Sequence, residues 1–177
     1  MLGLSNKKVT LVEHSEEWKI EFEKEAKKLQ CLLGELAIDI QHVGSTSIPG
    51  MIAKPIIDIA IAVEKVQSFA KVKHILCTEG YFWIESAGSK DRLFFAKGEE
   101  ANRTHNIHVE LYGGESWRYH IEFRDFLIAH AEYALEYCNL KKKLAQKYKD
   151  ERLKYTESKD KYIKNVLEVA NLNKNEF

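Results

Sequence analysis

Asp58 is the residue whose position most needs a chemical reason. It interrupts Ile56-Ile-Asp-Ile-Ala-Ile-Ala-Val63, a run otherwise apolar and rich in β-branched side chains. Such a run reads as a central strand buried on both faces. A carboxylate there costs several kcal/mol unless it is paired, hydrogen-bonded or bound to a metal. Strand alternation puts Ile56, Asp58 and Ala60 on one face and Ile57, Ile59 and Ile61 on the other. Two readings stand: a structural carboxylate at a strand end, held by backbone N–H groups or an arginine, and a metal ligand or general base facing a cleft.

A second polar face lies in His105–Glu110. Alternation groups Asn106, His108 and Glu110 against His105, Ile107 and Val109. If that strand neighbours the Asp58 strand, His108 and Glu110 could complete a site with Asp58. Aspartate and glutamate suit Mg²⁺, whereas histidine beside carboxylate leans toward a transition metal. Asp58 and Glu110 are thus the candidate catalytic acids, and Asp58, His108 and Glu110 the candidate metal ligands. The other reading is a solvent-facing strand edge. His42 either faces the same cleft or is a hydrogen-bonded structural histidine.

Upstream, Gly44-Ser-Thr-Ser-Ile-Pro-Gly50 is a turn of small residues, with twelve residues between Ser45 and Asp58. A Gly-Ser turn after a strand exposes backbone N–H groups and a hydroxyl, which suit a phosphate. Gly44, Ser45, Thr46 and Ser47 are the candidate phosphate cradle, although small residues also build ordinary loops. Lys54 and Arg103, with Lys90 and Arg92, flank the same elements and could bind phosphate oxygens, arginine bidentately. Arg124-Asp125 reads as a structural ion pair. Lys141-Lys-Lys143 reads as a solvated helix face, and Trp83 and Trp117 as core residues.

These residues need a scaffold. Ser15 offers an N-cap, and Trp18, Phe22, Ala26, Leu29 and Leu33 recur at helical spacing up to Gly34. The charges between them, among them Glu21, Lys24, Glu25 and Lys28, predict a solvated face. Strands follow at Ile38–Val43, Ile56–Val63, Tyr81–Ile84, Leu93–Ala96 and Asn106–Tyr112, with a helix over 65–78 among them. From Ser116 onward the pattern is helical, and Thr156 is placed to cap a last helix packed by Ile163, Val166, Leu167 and Ala170. The order is α+β, with helices on one side of a mixed sheet.

The 177 residues suffice for one domain with a sizeable core. Lys+Arg and Asp+Glu both total 27. That balance argues against a dedicated nucleic-acid binder, while leaving room for a local basic patch. The three cysteines, Cys31, Cys77 and Cys138, fit neither a disulfide framework nor a zinc ribbon. No stretch approaches 18 consecutive apolar residues, and the opening eight lack a signal-peptide core. The expectation is a cytoplasmic protein that does not enter membranes.

Gly44-Ser45, a twelve-residue spacer and an aspartate in an apolar strand resemble the signature of the nucleotidyltransferase superfamily. The longer strings His42-Val-Gly-Ser-Thr-Ser-Ile-Pro-Gly50 and Ala53-Lys-Pro-Ile-Ile-Asp-Ile59 resemble the GrpB family. Further matches are Arg103-Thr-His-Asn-Ile-His-Val109, Trp117, Phe123-Arg-Asp-Phe-Leu127, and Tyr155-Thr with Lys159, so the resemblance covers about residues 9–170. It implies a nucleotidyltransferase-like mixed sheet with an N-terminal helix and a C-terminal group of packed helices. It also implies a nucleotide or other phosphate ligand on the Gly-Ser loop, and Mg²⁺ or Mn²⁺ on Asp58. Related domains occur fused to dephospho-coenzyme A kinases, which implies a protein partner as well.

One position departs from the superfamily pattern. The second acid of Asp-x-Asp/Glu falls on Ala60, which cannot bind a metal, and two-metal phosphoryl transfer uses several carboxylates. The sequence therefore supports two readings: Mg²⁺-dependent nucleotidyl transfer, and a ligand-binding module that lacks transfer chemistry. A serine hydrolase using Ser45 or Ser47 with His42 lacks the Gly-x-Ser-x-Gly elbow.

Overall fold

The structure is a computed structural model describing residues 2–4, 9–99 and 102–174. Part of the opening stretch inspected for a signal peptide lies outside the described residues. Five strands form one mixed sheet: β1 (Asp39–Val43), β2 (Ile57–Val63), β3 (Phe82–Trp83), β4 (Arg92–Glu99) and β5 (Asn102–Leu111). Their order is β1-β2-β5-β4-β3. β2 runs parallel to β5, and the other neighbouring pairs are antiparallel. The Asp58 strand is internal, as its two-sided apolar character predicts.

Among the described residues there are six α-helices: α1 (Glu17–Leu33), α2 (Phe69–Thr78), α3 (Glu115–Ala129), α4 (Ala131–Lys147), α5 (Arg152–Glu157) and α6 (Asp160–Lys174). α1 begins where the Glu17 N–H donates to the Ser15 hydroxyl at 3.3 Å, and it ends at Gly34, whose φ of +54° is open to glycine. Trp18, Leu29 and Leu33 of α1 and Val72 and Leu76 of α2 pack against Ile57, Ile59 and Ile61. On the opposite face, Trp117 and Ile121 of α3 pack against Val43, Ala60 and Ala62. The expectation of helices on one side only is thus corrected: both faces of β2 are apolar, and both are covered.

The C-terminal helices build a further cluster in which Phe123, Phe126 and Tyr137 meet Ile163, Val166 and Ala170. Thr156 does not cap the last helix. It lies within α5, its hydroxyl donating to the Arg152 carbonyl, and α6 starts at Asp160. Glu25 departs from the solvated face expected of it. It is buried, accepting from the Tyr81 hydroxyl and the Lys97 ammonium, both at 2.5 Å. Such a carboxylate is tolerated because two donors replace its water. Among the described residues, no helix is long and apolar enough to cross a membrane.

Candidate functional site

The parallel pairing of β2 and β5 sets Asp58 beside Asn106 and Ala60 beside His108. Asp58, Asn106 and His108 therefore share one face, as alternation requires, and they floor a cleft of about 440 Å³. The Asn106 amide donates to Asp58 Oδ1 at 2.7 Å, and His108 Nε2 stands 3.6 Å from the same oxygen. The second distance exceeds a hydrogen bond but permits charge attraction. Burial works to raise the Asp58 pKa, yet the His108 imidazole and the Asn106 amide outweigh it and bring the value down to about 2. Asp58 is a carboxylate at any physiological pH, and its side chain keeps 28% of its exposure, open to the cleft.

One wall is the turn at Gly44-Ser45. Gly44 has φ +71°, and a Cβ there would stand 2.7 Å from Asp58 Oδ2. Backbone and carboxylate approach so closely that only glycine fits both demands. The remaining loop residues divide. Ser45 and Thr46 line the cleft, but Thr46 is buried and bonded to His42 Nε2 at 3.0 Å. The Ser47 hydroxyl donates to the Gly44 carbonyl at 2.6 Å, which closes the turn. Ser47 thus shapes the loop and does not line the cleft.

The opposite wall comes from the C-terminal helices. Lys141 is almost fully buried: its ammonium donates to the Ser45 hydroxyl at 3.0 Å and to the Ile52 carbonyl, and it lies over the Tyr137 ring. This corrects the reading of Lys141-Lys-Lys143 as a wholly solvated face. Lys54 and Lys159 approach the Tyr155 ring to 5.6 and 4.6 Å. Burial pushes Lys54 and Lys141 down to about 7 and Lys159 to about 8, with neighbouring Lys159 and Arg152 adding to the effect at Lys54. Among the described residues, Arg103 and Arg152 complete a lining of five cations around the single carboxylate Asp58. A chain of zero net charge thus concentrates positive charge in one cleft.

Other candidates fall elsewhere. Lys90 is exposed, and Arg92 donates to the Ala87 carbonyl at 2.9 Å; neither lines the cleft. His42 sits on the α1 side of the sheet, stacked on Phe22 at 4.7 Å, and burial lowers it to about 4. It is a structural histidine. Arg124 pairs with Asp125 at 2.7 Å and also donates to Gln41 Oε1 and the His42 carbonyl, tying α3 to β1.

Glu110 shares the face of Asp58 but not its position. It lies four residues beyond Asn106 on β5, roughly 13 Å along the strand. There it is completely buried beside His120 of α3, with Nδ1 2.9 Å from Oε1. His108 stands between the two acids, facing Asp58 on one side and packing on His120 at a ring separation of 4.5 Å on the other. His120, Lys141, Arg152 and Lys159 escaped the sequence reading as site residues. Their common signal is helical spacing: His120 lies three residues from both Trp117 and Phe123, and Lys141 lies four from Tyr137.

Asp58 offers a divalent ion one carboxylate. Ala60 adds nothing, and Trp117 packs in its cluster where a longer acid would project. Mg²⁺ is bound through one or two carboxylates plus substrate phosphates. The residues present fit an ion that arrives with a phosphate ligand, and fit poorly a pair of ions held by protein alone.

This arrangement of sheet, turn and helices is a nucleotidyltransferase-like fold. A crystal structure of Cid1 poly(U) polymerase bound to MgATP superposes with a TM-score of 0.54, over 76% of this chain and 44% of that one, at 13% identity. At that identity the likeness concerns fold alone. The chain belongs to the GrpB family, whose model, described as GrpB protein, matches residues 8–169. It is 40% identical over 171 residues to the glutamate-rich protein GrpB of Alkalihalophilus pseudofirmus, covering 94% of this chain and 98% of that protein. The crystal structure of GrpB from Enterococcus faecalis matches with a TM-score of 0.83 at 33% identity, over 91% and 96% of the two chains.

Proposed function

We propose that the cleft binds a phosphate-bearing small molecule, by preference a nucleotide, together with Mg²⁺ or Mn²⁺. The protein then works through that binding, as a ligand-responsive module able to serve a protein partner, and not through two-metal nucleotidyl transfer. The observation that carries this reading is the ring of five cations around one carboxylate, beside a glycine whose backbone is pressed against it. Phosphates answer the cations, and arginine adds bidentate bonds. Phe94 and Tyr119, also in the lining, offer an aromatic surface to a base. The volume suits a small ligand. Ala60 supports binding over transfer, because it leaves Asp58 without the second carboxylate that a two-metal reaction needs. Cys31 and Cys77, exposed and free, suit a reducing compartment such as the cytoplasm.

Thermal melting with nucleoside triphosphates, pyrophosphate and phosphate, with and without Mg²⁺ or Mn²⁺, tests the reading. A ligand at 100 times its Kd adds about 2.7 kcal/mol, which raises Tm by roughly 5–10 °C in a chain of this size. The expected result is a saturable shift, larger with the metal and lost in Asp58→Asn. No saturable shift with any of these ligands overturns it.

A further inference from the structure

Behind the cleft floor, His108, Glu110 and His120 each offer one ligand atom, and these atoms lie within 4.8 Å of one another. They come from two elements: β5 supplies the i, i+2 pair on one face, and α3 supplies the third residue. Two features set the trio apart from an ordinary buried ion pair. His108 Nδ1 and Glu110 Oε1 are both buried without a hydrogen-bond partner among the described residues. Glu110 Oε2 takes the bond from His120 Nδ1 at 3.2 Å, while Oε1, though 2.9 Å from the same nitrogen, makes none. A carboxylate fully out of water whose two oxygens share the one His120 nitrogen is costly, and bringing an ion to it relieves that cost.

We propose that His108, Glu110 and His120 form a binding site for a borderline transition-metal dication of the Zn²⁺ or Co²⁺ type, distinct from any Mg²⁺ that enters the cleft with phosphate. Two imidazoles and one carboxylate are the donor set that such ions prefer, and Mg²⁺, which favours oxygen, is a poor match for it. Around a tetrahedral ion with ligands at ~2.0–2.1 Å the donor atoms stand roughly 3.3 Å apart. The separations present need to close by about 1.5 Å at most, within reach of small rotations of the three side chains. With Nδ1 on the ion, Nε2 faces Asp58, a carboxylate behind a ligating histidine that fixes the ring and its tautomer. His108 and His120 also line the cleft, which gives the ion its way in and leaves a coordination position toward the ligand space.

The proposal does not depend on nucleotide binding, and its test uses none. Chelator-stripped full-length protein is titrated with Co²⁺, followed by its visible d–d absorption, and then with Zn²⁺ in competition. One equivalent of Co²⁺ should produce the bands of a low-coordinate site, and Zn²⁺ should erase them. His120→Ala should weaken binding by about 100-fold or more, and Asp58→Asn, which removes only the support behind His108, by about tenfold. His74→Ala, an exposed histidine on α2, should change nothing. Because Glu110 is buried, Glu110→Gln is read only after circular dichroism shows it folded, and His120→Ala carries the decision otherwise. Co²⁺ bands of equal strength in wild type and His120→Ala overturn the site. So does binding that Asp58→Asn abolishes while His120→Ala leaves it intact, since the ion then sits in the cleft.

Discussion

The Lys141 ammonium reaches across from α4 to donate to the Ser45 hydroxyl at 3.0 Å, joining the helical layer to the turn whose Ser45 is separated from Asp58 by twelve intervening residues. A buried cation thereby aims the hydroxyl and charges the wall of the cleft at once. Lys141→Met keeps the length and apolar volume but leaves the Ser45 hydroxyl and the Ile52 carbonyl without their donor. Losing satisfied partners costs about 1–3 kcal/mol, so Tm should fall by roughly 2–12 °C. Nucleotide or pyrophosphate affinity, measured by calorimetry, should fall by about tenfold or more. A variant that keeps wild-type affinity removes Lys141 from the anion site.

The depressed lysines set opposite pH dependences for ligand binding and for folding. Lys54 and Lys141 near 7 and Lys159 near 8 lose their charge as pH rises through those values. Affinity for a triphosphate should therefore fall about tenfold or more between roughly pH 7 and 9, where the ligand's own charge is nearly constant. The free protein behaves the other way. Unfolded lysines titrate near ~10.4, so across this window the unfolded state binds more protons than the folded one, and stability rises with pH. Paired calorimetry and denaturant titrations check both slopes, and an affinity that rises with pH contradicts the assignment.

Restoring the absent second acid should fail. Ala60 is fully buried with Val43, Ala62 and Trp117, so Ala60→Asp forces a carboxylate out of water against an indole, with only the His108 imidazole of the neighbouring strand beside it. A cost of about 3 kcal/mol or more is expected, which lowers Tm by roughly 6–12 °C. Nucleotidyl transfer, assayed with labelled triphosphates, should not appear. A stable Ala60→Asp protein that gains transfer would show that the cleft tolerates a two-ion arrangement after all.

Gly44→Ala should act mainly on the site. Its φ of +71° strains any side chain, and the added Cβ would press on Asp58 Oδ2 from 2.7 Å. A loss of about 1–3 kcal/mol in stability is expected, together with loss of the metal-dependent part of nucleotide binding. Denaturant unfolding and calorimetry with and without Mg²⁺ separate the two effects, and full metal-dependent binding in this variant contradicts the close approach.

The sheet was readable because its residues repeat a simple physical demand. Ile56–Val63 is apolar at nearly every position, which only a strand covered on both sides requires, and the alternation of Asn106, His108 and Glu110 against Ile107 and Val109 names the two faces of β5. The parallel register that sets Asn106 beside Asp58 was out of reach, because it depends on how strands distant in sequence pair. Lys141 was hidden among three consecutive lysines. A helix turns about 100° per residue, so one of the three can face inward, and only Tyr137 one turn earlier hints which. Glu25 was hidden likewise, since a glutamate on a helix looks solvated until Tyr81 and Lys97 arrive from other elements.

The cleft draws on distant parts of the chain: Lys54 and Lys159 both line it and both approach the Tyr155 ring, yet they lie 105 residues apart. During synthesis at ~5–20 residues per second, about 5–20 s separate the emergence of the two cations. The early segments can pair their strands in that interval, but the proposed anion site lacks Arg152 and Lys159 until α5 and α6 have been made and docked. A phosphate ligand therefore cannot template the sheet; it can only reward the final docking. Ligand should thus protect the amides of α5 and α6 from hydrogen exchange more than those of β2, making the C-terminal helices the part of the molecule that registers occupancy.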